Sequence, residues 1–141
     1  MVTTERDPVR IDERVLAGAV EPIARDLIAT LGWDRTRAEE QARDALDNRM
    51  EIVPDVDWER LDLATRQETL KDLVVQAAED VQQLLHDTVV DTTWPACPRH
   101  RRHPLWLGED DAGGLAWRCP RDDAAIAPLG ALPARPPAAR R

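Results

Sequence analysis

Residues 93–132, TWPACPRHRRHPLWLGEDDAGGLAWRCPRDDAAIAPLGAL, decide how the rest of the chain is read. The stretch holds both cysteines, two of the three histidines and three of the five tryptophans, so residue types that bind metals or anchor contacts are concentrated there. Cys97-Pro98-Arg99-His100 returns as Cys119-Pro120-Arg121-Asp122, and a tryptophan, Trp94 or Trp117, precedes each copy within three residues. In such a turn the thiolate and the residue three positions on face one point, because the turn aims its backbone N–H groups at the sulfur and proline fixes φ. Two copies suggest two halves of one metal site. Between them, residues 103–107 and 115–119 read as strands and residues 108–114 as a turn-rich connector.

The order of turn, strand, hairpin, strand, turn resembles the zinc-ribbon family, whose usual form is C-x2-C, a β-hairpin, then C-x2-C. The resemblance covers residues 93–132 and departs from the pattern twice, with His100 in place of the second cysteine and Asp122 in place of the fourth. It implies a tetrahedral zinc ion held by Cys97, His100, Cys119 and one further group, for which His103 and Asp122 compete. His103 gives a Cys2His2 set and is favoured, since imidazole is the commoner ligand in closed zinc sites, whereas Asp122 preserves the symmetry of the two turns. Two other readings stand beside this. Cys97 and Cys119 could close a disulfide loop, contributing about 3 kcal/mol in the chain-entropy model. They could equally be unrelated thiols, with His100 and His103 in a solvated basic run. No secretory signal is visible, which favours reduced thiols and a cytoplasmic protein.

Outside this stretch the chain is acidic and helical. A length of 141 residues fits one domain, or a helical domain with a small appended module. Residues 1–93 carry 22 acidic and 11 basic side chains, whereas residues 94–141 carry 5 and 8, so the net charge of -8 hides an acidic body and a basic end. An acidic body disfavours broad attachment to nucleic acid or anionic membrane, both polyanions. No apolar run approaches the roughly 18 residues needed to cross a bilayer. Phe and Tyr are absent, leaving tryptophan to supply all aromatic packing, and Lys71 is the only lysine.

Apolar positions Val15, Leu16, Ala19, Ile23, Leu27 and Leu31 recur at helical spacing, with Pro22 marking a kink or a new start, Gly32 a stop and Asp34 the next N-cap. Ala38, Ala42, Ala45, Leu46 and Met50 form a stripe of mostly small side chains suited to close helix contact. Residues 51–57 read as a loop, after which Trp58 and Leu61 plug the core. A long helix follows from about Asp62 or Thr65 to Val89, with Thr65 to Glu68 as a capping box and Leu70, Leu73, Val74, Ala77, Val81, Leu84, Leu85 and Val89 on one face. His86, near its end, suits a surface or capping role. The expected architecture is mainly α: a flexible N-terminus (1–10), an acidic bundle of three to four helices (11–92), a zinc-ribbon-like module (93–132) and a disordered Pro/Arg tail (133–141).

The functional expectation is a non-enzymatic, zinc-stabilised module that binds another protein, with Trp94, Trp106 and Trp117 shielding the site or making contacts. Arg99, Arg101, Arg102, Arg118 and Arg121 beside tryptophans support nucleic-acid binding as the alternative. A zinc hydrolase is a third reading, disfavoured because a fourth-ligand candidate is at hand and no catalytic motif is present. The long stripe also admits a homodimer seam.

Overall fold

Asp12 opens the first helix, α1 (Glu13–Leu31), by accepting the Arg14 N–H at 2.8 Å, and Gly32 closes it in the left-handed region at φ 68 with its N–H on the Ile28 carbonyl. Pro22 lies inside α1, which runs through it as one helix. The computed structural model describes residues 11–52, 58–88, 93–100 and 103–134. The readings made for residues 1–10, 53–57, Val89, Arg101, Arg102 and the tail from 135 onward fall outside these. Asp34 caps α2 (Arg35–Ile52), as its spacing indicated, by accepting the Arg37 N–H at 2.8 Å.

The long helix, α3 (Leu63–Thr88), begins at the earlier of the two expected starts, after Asp62, and not at the capping box. Asp62 is its cap, accepting the Thr65 N–H at 2.7 Å, while Glu68 pairs with Lys71 on the helix surface. An aspartate three residues before Thr65 offers that amide a charged acceptor, so the Asp62 carboxylate takes the bond assigned to the Glu68 side chain. Ahead of α3, a 3-10 turn at Trp58–Arg60 buries Trp58 in the core, and Arg66 holds that turn through the Trp58 and Glu59 carbonyls, each at 2.9 Å.

Ala38, Ala42, Ala45 and Leu46 are all buried. Their small volume lets α2 lie against both α1 and α3, which touch each other little. Two bidentate arginines fix that middle position: Arg43 of α2 grips both carboxylate oxygens of Glu13, and Arg49 grips Asp80 of α3 through two bonds of 2.6 Å. On α3, Leu73, Val74, Ala77, Ala78, Val81 and Leu85 are buried, whereas Leu84 stays exposed.

Three antiparallel strands follow in the order β1 (Trp106–Glu109), β2 (Leu115–Arg118), β3 (Ala125–Pro128). The first two correspond to the expected hairpin, with β1 displaced toward Gly108, and its turn is held by Asp110 Oδ1 accepting the Ala112 and Gly114 N–H groups at 2.9 Å. The third strand is an addition to the reading: it pairs Ala116 with Pro128 and Trp117 with Ala127, with an irregularity at Trp117/Arg118. Among the described residues the architecture is therefore mainly α, three helices with a small sheet at the C-terminal end.

One buried carboxylate joins the sheet to the helices. Asp26, on the inward face of α1, accepts hydrogen bonds from Trp117 Nε1 at 2.7 Å, the Gly130 amide at 2.8 Å and the Leu132 amide at 3.0 Å. Burial raises its pKa above the ordinary carboxylate value, and these three donors oppose that rise without cancelling it. Gly130 adopts φ 90 and passes so near Pro22 that an added Cβ would lie 2.8 Å from the proline Cβ. Asp26→Ala is expected to cost roughly 3 kcal/mol or more, since three donors, two of them on buried residues, lose their acceptor. Urea unfolding measures this, and a loss under about 1 kcal/mol would contradict the assignment.

Candidate metal centre

The first turn is built by the chain closing on itself. Leu105 N–H meets the Pro95 carbonyl at 2.7 Å, Cys97 N–H the His103 carbonyl at 3.0 Å, and His103 N–H the His100 carbonyl at 2.9 Å. Gln82 of α3 holds this loop from below, donating through Nε2 to the carbonyls of Trp94 at 3.1 Å and Leu105 at 2.7 Å. The second turn closes between Cys119 and residues 123–124, with Cys119 N–H on the Ala124 carbonyl and Asp123 N–H on the Cys119 carbonyl. Asp123 reaches φ 53 to complete it, a left-handed conformation that aspartate tolerates better than most residues.

The tryptophans before the two cysteines explain the sequence echo. Trp117 Nε1 donates to Asp26, and Trp94 Nε1 donates to Thr30 Oγ1 at 2.8 Å, so the two indoles hang from positions four apart on one face of α1. Their rings meet edge to face, 5.4 Å between centroids. Both are buried, as are both cysteines.

Suspended this way, the two turns bring together Cys97, His100 and Cys119, whose ligand atoms all lie within 4.8 Å of one another. His100 Nδ1 is 3.8 Å from Cys97 Sγ and 3.4 Å from Cys119 Sγ. For zinc–sulfur and zinc–nitrogen bonds of about 2.3 and 2.05 Å at a tetrahedral angle, the S···N separation is about 3.6 Å, and the two distances fall on either side of it. The donor set thus fits a zinc-sized ion. Both cysteines are free thiols, so the disulfide alternative does not describe this structure. Burial alone would raise the Cys119 thiol, but the backbone N–H groups of Asp122 and Arg121, with the Cys97 side chain, outweigh it and lower its pKa. Amides aimed at sulfur favour the thiolate that a metal requires.

The remaining residues singled out in the sequence take other positions. His103 contributes its backbone to the first turn, while its ring is exposed and centred 6.1 Å from that of His100. Asp122 lies on the far edge of the imidazole, its Oδ2 3.9 Å from His100 Nε2 and 3.3 Å from an Arg99 nitrogen. Among the described residues, neither joins the convergent three. Trp106 is 43% exposed; its ring covers Gly108 and has the Arg118 guanidinium 5.8 Å from its centroid. Arg118 is bonded to Asp123, and Arg121 is exposed. Asp26, Thr30 and Gln82, which hold the site in place, were not singled out in the sequence. Their signal was present for the first two: Asp26 and Thr30 follow Ile23 at three and seven residues, on the apolar stripe itself.

Compared with family models, curated proteins and solved structures, the chain matches none. Cobalt(II) added to the reduced protein is expected to give the thiolate-to-metal absorption of a two-sulfur site. Each of Cys97→Ser and Cys119→Ser should remove about half of it, and an unchanged spectrum in either variant would show that the two sulfurs do not share an ion.

Proposed function

We propose that this chain is a zinc-stabilised, non-enzymatic protein-interaction module, in which Cys97, His100 and Cys119 hold the ion and His103 completes the set. The observation that carries the proposal is the spacing of the three donors, close to the edges of a zinc tetrahedron. His103 is the module's other imidazole, and its main chain is clasped between Cys97 and His100, leaving only its side chain to move. A structural role is supported by the burial of both cysteines and of the two tryptophans that precede them. An open groove lies elsewhere, between α1 and α2, lined by residues of those helices from Glu13 to Asp44. No described helix is long and apolar enough to cross a membrane. A reducing compartment, the cytoplasm, suits a centre that needs two free thiols.

Trp106 is the proposed contact residue, because a large, half-exposed aromatic braced by Gly108 and Arg118 loses little freedom on binding. The nucleic-acid reading is weaker. Arg99 and Arg118 each carry an aspartate partner, Asp122 and Asp123, which leaves less positive charge for phosphate.

Elemental analysis of the purified protein should give about one zinc per chain. Chelation should lower the midpoint of the whole helical transition by about 10 °C, because the metal turns hang from α1. Metal-free protein with an unaltered melting curve would refute a structural ion. Trp106→Ala should keep the zinc and the fold while weakening capture of a protein partner. Tight binding of single-stranded oligonucleotide, falling steeply with salt and lost in Trp106→Ala, would instead establish the nucleic-acid reading.

A further inference from the structure

We infer that Asp122 is a positioning residue for the metal centre, holding the Nε2 edge of His100 so that Nδ1 faces the sulfurs of Cys97 and Cys119. The inference rests on the metal reading above and extends it to a residue whose place in the sequence is that of a ligand. Asp122 stands three positions after Cys119, where a zinc ribbon carries its fourth thiolate. Its carboxylate nevertheless does not join the convergent donors. The two nitrogens of His100 divide the surroundings: Nδ1 is 3.4 Å and 3.8 Å from the two sulfurs, and Nε2 is 3.9 Å from Asp122 Oδ2.

An imidazole that binds a metal through one nitrogen carries its proton on the other, and that N–H needs an acceptor to fix the tautomer and the ring plane. Asp122 is the carboxylate at that edge. A separation of 3.9 Å exceeds a direct hydrogen bond, and the positioning role requires that it shorten when the ion binds. The carboxylate is itself held from the first turn, by Arg99 at 3.3 Å, and Arg99 lies between Cys97 and His100 in the chain. The main chain of the same aspartate presents its N–H to the Cys119 sulfur. One residue of the second turn thus orients the imidazole of the first while its amide supports the thiolate of its own.

The test is zinc affinity by competition with a chromophoric chelator, joined to the cobalt(II) spectrum, for wild type, Asp122→Ala and Asp122→Asn. Asp122→Ala should lose affinity about 10- to 100-fold with the cobalt spectrum unchanged in position and intensity. Asp122→Asn, whose side-chain oxygen can still accept from Nε2–H, should recover most of the loss. Wild-type affinity in Asp122→Ala would overturn the inference. So would a changed cobalt spectrum in either variant, which would make Asp122 a ligand, or equal losses in both, which would place the effect on the turn's fold. Failure of the wild-type protein to bind either metal would instead remove the metal reading itself.

Discussion

A carboxylate removed from water must be met by donors, and Asp26 meets three of them in a part of the chain about a hundred residues away. An unmatched charge at this depth would cost more than most single apolar contacts return, so α1 cannot bury its inward face unless the C-terminal segment docks on it. The consequence is visible in the core. One apolar cluster runs from Ile11 through the helices to Trp94, Leu105, Leu107, Trp117 and Leu132. α2 alone cannot close this structure, since α1 and α3 make little contact with each other. The module supplies the link, with Asp26 and Thr30 on one side and Gln82 on the other.

The same anchoring couples the convergent Cys97, His100 and Cys119 to helix packing. Trp117 precedes Cys119 by two residues and Trp94 precedes Cys97 by three, so each thiol sits at the end of a short lever whose other end is an indole bonded to α1. An ion that drew the sulfurs together would act on those levers, and a shift of α1 would act back on the sulfurs. The repeated tetrapeptide is therefore half of a larger repeat, tryptophan and cysteine together, with the indole as the structural member and the thiol as the chemical one.

Much of this was legible in the sequence. The stripe of α1 gives Leu16, Ala19, Ile23 and Leu27, and that of α2 gives Ala38, Ala42, Ala45 and Leu46, because helical periodicity reports burial directly. The meeting of Cys97, His100 and Cys119 was legible from the paired turns. The directions of His103 and Asp122 were not: spacing places a residue on a turn but does not say which way its side chain points once neighbours claim its backbone. β3 was missed because Ala-Ile-Ala-Pro is too short to show alternation and ends in a residue that cannot donate to a ladder. Asp26 was overlooked for a different reason. A lone acid within an apolar stripe reads as a solvated interruption until the distant donors that face it are known.

The long sequence span of the Asp26 contacts sets an order on events during synthesis. A ribosome delivers α1 first, and the amide of Leu132 emerges only after 106 further residues, so the growing polypeptide carries an acid whose acceptors have nothing to receive. Helices made early can form and collide, but their shared interior stays hydrated around that side chain until Trp117, Gly130 and Leu132 arrive. Closure of this interior therefore waits on residues 117–132, which makes it one of the late, non-local steps of folding.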